Sequence, residues 1–304
     1  LQPRFIDSGW AQAREIRNAL KEFKTSGKFI YAYGDYMSQK GYYVSSVADS
    51  IFMNPMGMMQ LKGLSSEVLY YEDFQNQYGV KMEVIRHGKY KSAVEPYLQD
   101  HMSEENRIQI QSLLNAVWET LRDEVAQSRG LEPATLDTLA DDLVVTDAEE
   151  ALAQGIIDGL VYEDDFEDKI KVAMEVDPKE DLKVVDSDKI NIQIQEYDNE
   201  ISDRIAIVYA QGPILNTKGS ADIIGKEAIN KAFQEILESD KIKAVVLRVD
   251  SPGGDALTSE IILNASRTLK GKKPLVVSMG NVAASGGYYI SSLADRIFAD
   301  PMRW

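Results

Sequence analysis

Residues 41–56 read GYYVSSVADSIFMNPM and residues 287–302 read GYYISSLADRIFADPM. Eleven of the sixteen paired positions are identical at a constant offset of 246, and Val44/Ile290 and Val47/Leu293 are conservative exchanges. Self-similarity of that density marks a duplicated structural unit and restricts the chain to folds that can be built twice. Carried backwards, the same offset lays 10–24 on 256–270, 29–33 on 275–279, and Gly34 on Gly280. Leu1 falls on Leu247, inside an apolar run that reads as a strand, and Trp304 falls on Met58. The expectation is a chain that opens and closes in mid-unit, cut from a longer two-unit protein. Its N-terminal unit covers 1–200 and is truncated at its start; its C-terminal unit covers 201–304 and is truncated at its end.

Within this frame, short β-rich runs at 204–210, 244–249 and 275–279 are followed by helical patterns at 225–237, 256–270 and 284–293. Alternating strands and helices predict an α/β fold. A longer amphipathic helix is predicted over 104–127, with Ile110, Leu114, Val117, Leu121 and Val125 on one face and Ser103 as its N-cap. The charged stretch 177–189 reads as the start of a connection between units.

Composition narrows the chemistry. Of 304 residues, 33 are Lys or Arg and 49 are Asp or Glu, a formal net charge of −16 that repels phosphate backbones, so no nucleic-acid partner is expected. With no cysteine, disulfides, Cys-based zinc sites and a thiol nucleophile are excluded, and two histidines, His87 and His101, leave little for a His-rich metal site; neither a metal nor a cofactor is expected. No apolar run reaches the ~18 residues that span a bilayer.

Two glycine-rich turns each lie between a strand and a helix: Asp250-Ser251-Pro252-Gly253-Gly254 and Ala284-Ser285-Gly286-Gly287. Such turns expose backbone N–H groups at a helix start, where an oxyanion is favoured. Acyl transfer needs a hydroxyl nucleophile beside such donors. A serine at a helix start is more often a plain N-cap, and Gly-Gly a plain turn. The repeat weighs against that reading: at the same offset Ser285 falls on Gln39, Gly286 on Lys40, Gly253 on Asp7 and Gly254 on Ser8. Fold-bearing residues persist in the first copy while the nucleophile and both turns are missing, the pattern of one active and one inactive copy.

A serine also needs a base. His87 has no partner pattern, whereas the segment 89–97 holds Lys89 and Lys91. A free lysine titrates near ~10.4 and a base working at neutrality needs ~7–8, so a lysine in this role requires burial or positive neighbours such as Arg86. The residue types nominate the segment without choosing between its lysines.

YKSAVEPY (90–97), VDSPGGDALTSE (249–260) and VVSMGNVAASGGYYIS (276–291) closely resemble the signal peptide peptidase A, or protease IV, family in its long two-unit form. The resemblance implies a Clp protease/crotonase-like fold of repeated ββα units in tandem duplication. It implies Ser285 as nucleophile and Lys91, supplied by the inactive copy, as base. Backbone N–H groups at Gly286 and near Gly253–Gly254 would be the oxyanion donors. It further implies peptide substrates, the remnant signal peptides left after secretion, and a ring-like homo-oligomer. The setting implied is the bacterial inner membrane, with the catalytic region outside the cytoplasm and an anchor absent from this stretch. Two other readings of the same fold stand beside it: a crotonase-type acyl-CoA enzyme, which has no use for YKSAVEP, and a non-catalytic scaffold.

Overall fold

The computed structural model describes residues 1–3, 6–185 and 203–303. The chain forms two compact units: Leu1–Phe5 with Ala32–Leu160, and Ile6–Tyr31 with Val161–Trp304. The fold is mixed α/β with parallel strand pairs, as the alternation of runs predicts.

Helix α1 (Trp10–Lys24) belongs to the second unit. Strand β1 (Tyr31–Met37) starts two residues later and ends four residues further on than the run at 29–33 suggests. Helix α2 (Gln39–Ser45) and strand β2 (Ser50–Met59) follow, and then helix α3 (Glu72–Tyr78), a 3₁₀ turn at Ser92–Tyr97 and helix α4 (Glu104–Arg129). Ser103 caps α4 as predicted, its hydroxyl accepting the Asn106 N–H at 3.1 Å, and Gly130 ends it in the left-handed conformation. Val117, Leu121 and Val125 are buried while Ile110 and Leu114 are only half-buried, so the apolar face enters the core along its C-terminal half. Helices α5 (Pro133–Asp141) and α6 (Ala148–Ala153) lead into the two-residue strand β3 (Gly159–Leu160), which lies parallel to β2 with Phe52 opposite Gly159. The three strands of this unit are ordered β1-β2-β3. Tyr43 donates to the Glu124 carboxylate at 2.5 Å and Tyr42 to the Ile156 carbonyl at 3.0 Å, so buried phenols tie α2 to α4 and to the approach to β3.

In the second unit, helix α7 (Glu163–Ala173) precedes strand β4 (Arg204–Gln211), helix α8 (Lys226–Glu238), strand β5 (Ile242–Ser251) and helix α9 (Ala256–Lys270). Strand β6 (Leu275–Ala283), helix α10 (Gly286–Ser291) and strand β7 (Arg296–Phe298) complete it. The predicted stretch 177–189 lies outside the described residues from 186 onward. The sheet order is β4-β5-β6-β7. Along β5 the side chains of Val245, Leu247, Val249 and Ser251 point inward in strict alternation, the period-2 signature of one buried face. Val245, Leu247 and Val249 meet Ile229, Phe233 and Ile236 of α8, Ile262 and Leu269 of α9, Val277 and Met279 of β6, and Ile290 of α10 in one core.

The bounds of α9, lowered by 246, are those of α1, and the starts of α10 and β7 transfer to within one residue onto α2 and β2. The environments of matched residues differ. Tyr42, Tyr43, Ile51 and Phe52 are buried, whereas their counterparts Tyr288, Tyr289, Ile297 and Phe298 are exposed. In the first unit β3 pairs with β2 and α4 hydrogen-bonds Tyr43. No described residue pairs with β7 on its outer edge.

Candidate active site

The end of β5 and the end of β6 converge on the two glycine turns. The β5–β6 register passes from Val249 opposite Met279 to Ser251 opposite Ala283, so β6 carries two extra residues there. The Asp250 carboxylate holds this bulge, accepting the N–H groups of Asn281 (3.2 Å) and Val282 (3.0 Å). The bulge delivers Ala284 and Ser285 to the edge of the core, both exposed.

Ser285 has φ 48° and ψ −118°, a conformation rare for any residue with a Cβ. Holding it costs about 1–3 kcal/mol, and positions of this kind concentrate at functional sites. The strain has a local consequence: α10 begins at Gly286, not at 284 as the pattern of residues suggests, because Ser285 cannot join the helix. Nor does its side chain cap the helix. A sharp strand-to-helix turn with an exposed serine is also the geometry by which α/β-hydrolases present a nucleophile.

The other turn packs directly beneath. A Cβ built on Gly253 would lie 2.7 Å from the Ser285 Cβ and 2.5 Å from the Gly286 nitrogen. Gly253 (φ 93°) and Gly254 (φ 151°) also occupy backbone regions open in practice only to glycine. Ile214 clamps this loop, its N–H donating to the Gly253 carbonyl and its carbonyl accepting the Asp255 N–H, each at 2.8 Å. Thus Ser285, Gly286, Gly253 and Gly254 are brought together in one place.

The structure divides the labour among the glycines more finely than their sequence does. The Gly253 N–H is engaged, donating to the Ser251 hydroxyl at 3.1 Å, and that hydroxyl donates to the Gly212 carbonyl at 2.7 Å. The N–H groups of Gly254 and Gly286 have no acceptor among the described residues. Ser251 is therefore a strut, and its carbonyl also accepts the Ala284 N–H at 3.0 Å, joining both turns. Ser251→Ala leaves the buried Gly253 N–H unsatisfied, and an expected loss of about 1–3 kcal/mol should be read from denaturant unfolding.

Beside the turns, Tyr289 donates to the Glu260 carboxylate at 2.5 Å, and this bond to a carboxylate pushes the phenol pKa up. Asp255 caps α9 through the Thr258 N–H at 2.7 Å, and the hydrogen bonds from Thr258 hold its carboxyl below the usual range.

Lys91 stands in the first unit, exposed, immediately before the 3₁₀ turn Ser92–Tyr97. Lys89 is engaged with Glu105 at 3.7 Å and lies over the Tyr90 ring, while Lys91 has no ion pair among the described residues. Glu95, four residues on, is fully buried. Nothing in its residue type signals this; carboxylates next to proline read as surface. No described helix is long and apolar enough to cross a membrane.

Comparison with known proteins places the chain among peptidases. Protease 4 of Haemophilus influenzae is 34% identical over 296 residues, covering 94% of this chain and 48% of that protein. The chloroplastic serine protease SPPA of Arabidopsis thaliana is 32% identical over 304 residues, covering 97% and 44%. Protease 4 of Salmonella typhi is 32% identical over 308 residues, covering 98% and 49%. The chain spans about half the length of these curated relatives. The family model for peptidase family S49 matches residues 22–177 and 267–304, the first match containing Lys91 and the second Ser285. With the strained serine turn and YKSAVEPY both inside the matched segments, the chain belongs to peptidase family S49.

Proposed function

We propose that the protein is a serine endopeptidase in which Ser285 is the nucleophile, Lys91 the general base, and the Gly254 and Gly286 N–H groups the oxyanion donors. The observation that carries this reading is Ser285 itself, strained, exposed and with a side chain that makes no cap bond, near two glycine N–H groups that have no acceptor among the described residues. In the proposed reaction the Ser285 Oγ bonds to the scissile carbonyl carbon and its proton passes to the Lys91 amine. The carbonyl oxygen takes the negative charge, which the two N–H groups receive. The C–N bond then breaks, the leaving amine takes the proton from Lys91, and water releases the acyl group by the reverse sequence.

Lys91 is preferred to Lys89 because it is the lysine of YKSAVEP that matches the family's base; Lys89 lies 3.7 Å from Glu105 in an exposed ion pair. The proposed substrates are apolar peptides, the remnants of cleaved signal peptides. The exposed Leu257, Tyr288 and Tyr289, close in sequence to the two turns, supply apolar surface for them. The proposed setting is the bacterial inner membrane, with the catalytic region outside the cytoplasm. A fluorophosphonate should inactivate the full-length protein and label it on Ser285, located by peptide mapping; inactivation with the label on another residue and Ser285 unmodified would refute the assignment.

The proposed assembly is a ring-like homo-oligomer, in which head-to-tail contacts close upon themselves. Leu69, Phe74, Tyr78, Val80, Met82 and Ile85 are all exposed within the stretch leading to Lys91, a density of apolar surface that marks association sites. Sedimentation of the full-length protein across concentrations, paired with a peptidase assay, should show activity rising with assembly. A fully active monomer at every concentration would rule the ring out.

A further inference from the structure

The 3₁₀ turn that follows Lys91 is held by a carboxylate the proposed reaction does not use. Glu95 is fully buried and accepts four hydrogen bonds: from the Ser103 hydroxyl at 2.5 Å, the Ser103 N–H at 3.4 Å, the Asn106 side-chain amide at 3.1 Å and Arg86 Nη1 at 3.5 Å. Burial pushes its pKa up, but the bonds from Ser103, Asn106 and Arg86 outweigh burial and leave the carboxyl below its ordinary range. It is therefore an ionised group, fixed at the start of the 26-residue helix α4.

Arg86 extends this anchor to the neighbouring backbone. Its Nη1, the same nitrogen that donates to Glu95, donates to the Lys91 carbonyl at 3.0 Å. The Lys91 N–H meets the Gly88 carbonyl at 3.4 Å, with Gly88 at φ 95° turning the chain. Both backbone polar groups of Lys91 are thus engaged, and one of them is tied through a single guanidinium to a buried carboxylate of the 3₁₀ turn, which is itself hydrogen-bonded to the first turn of a long helix. An exposed loop with no such tie would leave the Lys91 backbone free to drift relative to α4.

We propose that Glu95, acting through Arg86, is the positioning residue that sets where Lys91 stands. This rests on Lys91 being the base. A positioning role predicts a loss in the chemical step with little change in substrate binding, since a displacement of about 1 Å can cost ~10²-fold in rate. Loop integrity alone predicts a loss of stability without that signature.

The test uses full-length protein, a chromogenic peptide, and thermal melts run in parallel on Arg86→Met, Arg86→Lys, Glu95→Gln and Lys91→Ala. Arg86→Met keeps the aliphatic stem and leaves Ser103 and Asn106 on the carboxylate, so it is the variant expected to fold whatever Glu95→Gln does. Arg86→Met, and Glu95→Gln if folded, should lower kcat about tenfold or more with KM held within about twofold, and Arg86→Lys should recover most of the loss. Wild-type kcat in Arg86→Met, a loss expressed in KM, or no recovery in Arg86→Lys would overturn the positioning role while an inactive Lys91→Ala leaves the base intact. An active Lys91→Ala would instead remove the base and this proposal with it.

Discussion

Ser285→Ala in the full-length protein should lower peptide hydrolysis by about three orders of magnitude or more while the fold and the assembly persist, because removal of a true nucleophile leaves only binding and oxyanion stabilisation. A residual activity within about tenfold of wild type would sink the assignment. The backbone at this position adds a second readout. Alanine keeps the Cβ, and with it the strain at φ 48° and ψ −118°, so Ser285→Ala should melt close to wild type. Ser285→Gly releases that strain and should be equally inactive but more stable, by up to about 1–3 kcal/mol. Loss of activity with a gain in stability is what separates a strained catalytic position from a structural one. A plain helix N-cap would behave in the opposite way: Ala would cost about 1 kcal/mol and Gly only a few tenths.

Much of this site is legible in the order of residues. The offset of 246 predicts where α1 and α9 lie, since both are long enough, at fifteen residues, for the helical period to be read. The two glycine turns are legible because glycine is the residue a positive φ demands, and Gly253 and Gly254 both have it. Three things are not legible, for physical reasons. Helices α3 and α6, of seven and six residues, and the two-residue β3 are too short for periodicity to define, and they exist through tertiary contacts such as β3 with β2. Which glycine N–H groups stand free depends on where the Ser251 hydroxyl turns, and a motif does not contain a rotamer. The buried Glu95 depends on Ser103 and Asn106, eight and eleven residues ahead on another element. Identical residues also meet different fates: Tyr43 is buried against α4 while Tyr289, its counterpart, stands exposed four residues after Ser285. Repetition of a sequence carries over the local structure and not the neighbours.

Lys91→Ala should match the Ser285→Ala defect, and the double variant should be no worse than either alone. The reasoning is that a nucleophile without its base and a base without its nucleophile fail at the same step, so members of one catalytic unit are far from additive. Two independent contributions to binding would instead add in free energy, and the double variant would then fall below both singles by the product of their losses. The neighbours provide the controls. Lys89 is held by Glu105 at 3.7 Å and His87 is exposed with no role in the proposed chemistry, so Lys89→Ala and His87→Ala should keep most of the activity. Lys91→Arg is the sharper substitution, because it retains a positive charge yet guanidinium does not give up its proton under working conditions. An inactive Lys91→Arg that still assembles and melts like wild type would mean that a removable proton, and not a positive charge, is what the position supplies. If His87→Ala were the dead variant and Lys91→Ala the active one, the base would be an imidazole and the serine–lysine pairing would have to be abandoned.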